Sequence, residues 1–374
     1  MLTVATFPRP RVLARLAVVL AVLIALLPPQ GAAAASATIR VVSYNVGSET
    51  VDTDTHPWTK RRSAVVTAVL KQKPDVIGFQ EASQGKLGKT GSTNQPDLSQ
   101  AEDLVKRLGK PYKMANTARY NCKNPKTPYK CAKKYQGAAN SQKIVYNSST
   151  LTLLKQGSKK TTSQKTKMEQ QRYVEWAHFQ HKATGKKFFF VNVHLDPGKD
   201  KKSIKTRATQ MKEILAVIAA KNPKNLPTYV VGDFNSHKWT DGGNKPYDAM
   251  RKAGYVDPLG NTYLSTTTTG GATVKKRINT QYSSHNAWKR TAPVKPAWVN
   301  GIYIDYIWTS TGIQVPEWET VIDVDPKTGK FRARSRRTTT CCGPRRSSSE
   351  QRAVPRPSLL GVSLRRPSSA RQGA

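Results

Sequence analysis

Six polar residues sit at or near the ends of apolar runs: Asn45 closing RVVSYN, Glu81 after VIGFQ, His194 in FFFVNVH, Asp233 and Asn235 after TYVVG, and Asp305 within GIYIDYIW. Carboxylates, amides and one imidazole form a set that can hold a hard divalent cation, orient a phosphate and take a proton from water. The chemistry this points to is phosphoester hydrolysis. Glu81 supplies oxygen ligands for the cation, Asn45 orients the phosphate beside it, Asp233 deprotonates a water that Asn235 orients, and His194 donates to a non-bridging oxygen. Each residue alone has a plainer explanation. Asp and Asn close strands through Asx turns, and a His in an apolar strand is often a satisfied core residue. Recurrence at five run ends makes them a constellation. The chain has no phosphate-binding Gly-x-x-x-x-Gly-Lys loop, no Gly-x-Ser-x-Gly elbow and no His-Glu-x-x-His pair.

Positioning such a set requires rigid strands whose ends converge. The apolar runs 75–80, 187–195 and 228–236 predict buried strands, the last covered on both faces, and 37–46 alternates into another strand. Run 301–308 predicts another, with Asp305 in its middle, where a charge needs a partner. Further strands are predicted over 112–118, 141–146 and 171–181. Helices are predicted over 58–73, from a Ser99/Glu102 capping box to Leu108, over 205–220 and over 247–253. Residues 262–298 read as a long polar loop. The pattern is that of an α/β chain.

Arg9, Arg11 and Arg15 precede the apolar run Leu16 to Leu27 and small residues around Ala32 to Ala37, the layout of a secretory signal over residues 1–36. An exported monomer without a stable membrane anchor, and with no protein partner evident, is therefore expected. Cys122 and Cys131 then read as a loop-closing disulfide, since no His or further Cys stands at zinc-ligand spacing. The net charge of +39 favours a polyanionic partner, such as nucleic acid.

Taken in order, SYNV, GFQE, VNVHLD, VVGDFNS and IDYIW resemble the motifs of the endonuclease/exonuclease/phosphatase family, the deoxyribonuclease I-like group. The resemblance spans about Thr38 to Val324 and implies a four-layer α-β-β-α sandwich of two mixed β-sheets, with one domain over 37–331. It implies Mg2+, with Mn2+ as a substitute, at Glu81 and Asn45, the amide orienting both the metal and the phosphate. It also implies Asp233 and Asn235 at the attacking water, His194 at the phosphate and Asp305 orienting a final His. Family members close with Ser-Asp-His, and this chain does not. Ser284-His285-Asn286 precedes Asp305 and lacks the acid, so it is no substitute.

The tail over 332–374 has a different composition. All 38 lysines lie at or before Lys330, whereas these 43 residues hold 11 arginines. A disordered basic arm is one reading. A reading-frame slip is the other. Written as codons, with the common choices for Arg and Ser, residues 333–344 read one base earlier permit Gly-Thr-Ile-Pro-Ser-Asp-His-Asn-Met-Leu-Arg-Ala. That restores the missing triplet, followed by an apolar continuation.

The expected function is a secreted magnesium-dependent phosphodiesterase, a nuclease, impaired by the missing motif. A sphingomyelinase-like or inositol-phosphate phosphatase-like hydrolase uses the same catalytic residues. A nonenzymatic nucleic-acid binder is the reading from another class.

Overall fold

The computed structural model describes residues 38–49, 56–83, 99–115, 141–164, 171–260, 272–286, 288, 299–325, 327–331, 339–342 and 360–365, all within one unit spanning Ala37–Pro367. The signal segment, Cys122 and Cys131 lie outside the described residues. No helix among the described residues is long and apolar enough to cross a membrane.

Strands β1 (Ile39–Asn45), β2 (Val76–Gln80), β7 (Lys187–His194) and β8 (Thr228–Asp233) are buried along nearly their whole length. Successive side chains leave a strand on opposite faces, so a continuous apolar run must be covered twice. In β7, Phe188 and Phe190 enter the core between the sheets, whereas Phe189, Val191 and Val193 enter an outer core.

One sheet has the order β10 (Lys276–Ile278), β12 (Gln314–Val321), β13 (Thr339–Cys342), β14 (Leu360–Arg365), β1, β2, β4 (Lys143–Asn147), β3 (Tyr112–Met114). The other runs β5 (Leu151–Lys160), β6 (Tyr173–His181), β7, β8, β11 (Asp305–Ser310), β9 (Tyr255–Val256). Both are mixed, with β1–β2 and β7–β8 parallel among antiparallel neighbours. Their inner faces share a core that includes Val41, Val76, Ile144, Phe179, Phe190, Val231 and Ile307. Helices α1 (Trp58–Gln72) and α2 (Gln100–Leu108) cover the first sheet through Trp58, Val65, Val69 and Leu104. Helices α3 (Lys201–Lys221) and α4 (Lys245–Lys252) cover the second through Met211, Ile214, Val217, Tyr247 and Met250. This is the expected four-layer sandwich.

At Gly78 the two sheets approach closely, since a Cβ there would lie 2.3 Å from Val231 Cγ2. The capping box at α2 is present, with Ser99 Oγ accepting from Glu102 N and Glu102 Oε2 accepting from Ser99 N. Helix α3 begins four residues before its expected start because Asp200 caps it, Oδ1 accepting from Ser203 N at 2.9 Å.

Three expectations change. Asp305 begins β11 instead of lying inside a strand, because residues 301–304 are drawn into loop bonds, including Ile304 N to Ser284 Oγ at 3.0 Å. Strands β5 and β12 had no clear signature. β5 is half exposed, and β12 contains Pro316 at a register shift and buries Glu317 against Lys276. The polar stretch 262–298 contains β10, and much of the rest lies outside the described residues.

The tail read as a disordered arm contributes β13 and β14. Both pair antiparallel with the same β1 residues, Val41 to Ser43, and both also pair with β12. The physical cause is the free edge of β1, whose backbone groups need a partner.

Candidate active site

The ends of β1, β2, β7 and β8 and the start of β11 carry the constellation. His194 stands level with Asp233 in the parallel β7–β8 register, and Asp305 stands opposite Asp233 in the antiparallel β8–β11 register. Asn45 bridges the sheets: its Nδ2 donates to Glu81 Oε1 at 2.8 Å and to Asp233 Oδ2 at 3.0 Å. The oxygen Asn45 Oδ1 accepts from Gly47 N at 3.0 Å, so this amide holds the two carboxylates and turns its own acceptor away from them. Ser48 N donates to Glu81 Oε2 at 2.9 Å. Glu81 adopts a left-handed backbone, φ 56°, a sparsely populated conformation for a residue other than glycine. Asn45, His194, Asp233 and Asp305 are buried, and Glu81 is partly open to solvent.

Gly232 lets β8 deliver its acid. With φ 150°, it stands where a Cβ would fall 2.0 Å from the carbonyl oxygen of Val193, so only glycine permits the β7–β8 approach that sets His194 beside Asp233. Asp233 Oδ1 accepts from Asn235 N at 2.9 Å, and Asn235 Nδ2 donates to Leu195 O at 3.0 Å. The backbone of Asn235 thus orients Asp233, while its side chain ties the β7 and β8 ends together.

His194 Nε2 lies 3.4 Å from Asp233 Oδ2, and its Nδ1 lies 3.0 Å from Arg172 Nη1. A guanidinium has donors only, so Nδ1 accepts and the imidazole proton resides on Nε2, on the Asp233 side. Arg172 precedes β6 and carried no signal in the sequence. Tyr306 was similarly overlooked: its hydroxyl donates to Ser236 O at 3.3 Å, bracing the loop after Asp233, and burial pushes this phenol upward. Ser284 Oγ accepts from Ile304 N and Asp305 N at 3.0 and 3.3 Å, supporting the start of β11. In the same loop as Asp233, burial lowers the Lys238 ammonium to about 8.

Glu81, His194 and Asp233 offer ligand atoms that all lie within 4.8 Å of one another. Two carboxylates at that separation repel, and a divalent cation between them relieves the repulsion with the hard oxygens it prefers. The donor set therefore fits such an ion, with Asp233 joining Glu81 as a candidate ligand.

The model of the Endonuclease/Exonuclease/phosphatase family matches residues 172–349. The match covers just under half of the chain. The chemistry of that family is phosphoester hydrolysis. A family protein from Bacteroides thetaiotaomicron has 17% identity, with 89% of this chain and 99% of that one covered at a TM-score of 0.58. For a mannosyl-6-phosphatase of the same species the values are 18%, 80%, 97% and 0.55. Beta toxin from Staphylococcus aureus gives 16%, 80%, 98% and 0.51. At these identities the structures share the fold. A search of the curated proteins returns no match.

Proposed function

We propose that this chain is an exported, magnesium-dependent phosphodiesterase acting on nucleic acid, with turnover reduced by a substituted C-terminus. The observation that carries the reading is the convergence of Glu81, Asp233 and His194 around the amide of Asn45. A divalent cation bound at Glu81 and Asp233 would neutralise charge on the phosphoryl oxygens. Asp233, oriented by Asn235 N, is placed to accept a proton from water, and Asn45 keeps the acids apart at fixed geometry. His194, with its proton on Nε2, donates to a non-bridging oxygen. Asp305 adds negative charge beside Asp233 and holds whatever cationic or donor group closes the site.

Nucleic acid is favoured by charge, because residues 37–331 carry 48 basic and 22 acidic side chains. Export is supported by the signal-like segment, and magnesium by the oxygen-rich donors. Incubation with supercoiled DNA, RNA, sphingomyelin and a sugar phosphomonoester, each with Mg2+, Mn2+ or chelator, tests the reading. Cleavage of DNA or RNA that stops with chelator is expected; hydrolysis restricted to the lipid or the monoester would overturn the choice of substrate.

The substituted C-terminus is supported by the position between β1 and β12. Because β13 runs antiparallel to β1, it enters this position at the Asn45 end, and the codons that permit Ser-Asp-His in the shifted reading are those of residues 337–339, the last being the first residue of β13. Residues 337 and 338 lie outside the described residues. Loss of one transition-state donor costs about 10² to 10³ in rate, so a chain remade with the shifted reading should turn over faster by that factor. Nucleotides at the locus that do not permit the triplet would eliminate the slip.

The basic excess also favours a second reading, a nonenzymatic binder. Steeply salt-dependent DNA binding without cleavage in Mg2+ would select it.

A further inference from the structure

We propose that Gln100 is a positioning residue that sets the geometry of the cation site by tying the loop after Asn45 to the loop after Glu81. The inference rests on the reading of Glu81 and Asp233 as cation ligands.

Gln100 opens α2 and is fully buried, although it is polar and touches neither acid in any bond described above. All three of its described bonds go to backbone near the ligands. Its Oε1 accepts from Glu49 N at 2.9 Å and from Ser83 N at 3.1 Å, and its Nε2 donates to Gly47 O at 2.8 Å. Gly47 and Glu49 flank Ser48, whose N–H is bonded to Glu81 Oε2. Gly47 N in turn holds Asn45 Oδ1. The Gln100 amide therefore orients the Gly47–Ser48 peptide that aims Glu81, while the preceding Val46–Gly47 peptide, which holds Asn45, is bonded by Arg61 Nη1 at its carbonyl.

On the other side, Ser83 lies two residues beyond Glu81, at the end of a segment whose left-handed turn persists only if its surroundings hold it. The holding bonds are Ala82 N to Ser141 O at 2.9 Å and Ser83 N to Gln100. The frame behind Gln100 is itself fixed, by the capping box at Ser99 and by Ala101 N donating to Ser83 O at 3.2 Å. Arg61 supplements the clamp from α1, with Nη1 donating to Val46 O and Nη2 to Gly47 O at 2.9 Å. The described Arg61 bonds go to the connection between β1 and α1. Among the described bonds, Gln100 is the side chain that reaches both loops.

Groups that orient ligands without touching the ion typically contribute about 10- to 100-fold to affinity. The test is calorimetric titration of the purified chain with Mn2+, which needs no turnover, on the parent, Gln100→Met and Asp103→Asn. The Met variant keeps side-chain length and loses all three bonds. The Asp103 variant weakens the α1–α2 packing at Trp58 Nε1, 2.7 Å away, without touching either loop, so it reports simple loosening. Thermal melts of each variant confirm folding, and Gln100→Asn, whose amide is too short to span the loops, replaces the Met variant if that one does not fold.

The expected result is Mn2+ affinity about 10- to 100-fold weaker in the Gln100 variant and unchanged in the Asp103 variant. Parent-like affinity in the Gln100 variant overturns the inference, and so does an equal loss in both variants. A parent that binds no Mn2+ overturns the cation reading itself, which separates that failure from the failure of the clamp.

Discussion

Replacing Asp233 by Asn separates a cation site from an ordinary polar cluster. The carboxylate accepts from Asn235 N on Oδ1 and from Asn45 Nδ2 on Oδ2, with His194 Nε2 also near Oδ2. An amide presents one acceptor atom, so at least one buried donor then faces an N–H, a cost of about 1–3 kcal/mol. Against this, the substitution removes a charge within 4.8 Å of Glu81, a repulsion worth about 3–4 kcal/mol at an effective dielectric constant near 20. The two terms nearly cancel, and in chelator the melting temperature should move little. With Mg2+ at about 100 times its dissociation constant, the parent should gain about 2.7 kcal/mol, and the variant should gain little of it. Hydrolysis of bis(4-nitrophenyl) phosphate should fall by about 10² to 10⁴ with the loss of the base. Thermal melts with and without Mg2+, and initial rates under the same conditions, read both effects. A variant that keeps the Mg2+-induced rise and a rate within about threefold of the parent, well short of the loss expected for a missing base, would refute the reasoning.

Arg172→Met should lower kcat by about 10- to 100-fold, the worth of one charge-assisted hydrogen bond, with Mn2+ affinity unchanged in calorimetry. Burial raises the Glu49 carboxyl to about 7 against the neighbouring Arg61, so the folded state holds its proton more tightly than the unfolded chain. That contribution to stability is present below pH 4.5 and lost as pH rises through 7. Glu49→Gln should flatten this dependence and stabilise the protein at pH 8 by at most about 3 kcal/mol, measured by denaturant unfolding at pH 5 and pH 8. Gly232→Ala should abolish soluble expression or lower the melting temperature sharply, because its Cβ meets the Val193 carbonyl oxygen; a parent-like melting curve would contradict this packing.

The local chemistry was legible in the residues themselves. Apolar runs such as KFFFVNVH can be stable only as strands covered on both faces, and polar residues at their ends mark where the cover stops. Hence Asn45, Glu81, His194 and Asp233 were found, while the four-layer arrangement came from the resemblance of their motifs to a known family. The Ser99 capping box was legible for a similar reason, because its two bonds join residues three apart.

What depended on partners distant in sequence was not legible. β12 hides behind Pro316 and two acids, because Lys276 and the sheet compensate for Glu317 only after folding. Arg172 and Gln100 look like ordinary polar residues until β6 meets β7 and α2 docks on the loops of β1 and β2. Residue types and strand periodicity thus determined which groups reach the mouth. Tertiary structure decided how they are used, turning the Asn45 amide onto two acids, setting the His194 proton on Nε2 and bringing Asp233 close enough to Glu81 to share an ion, because each depends on atoms placed by another part of the chain.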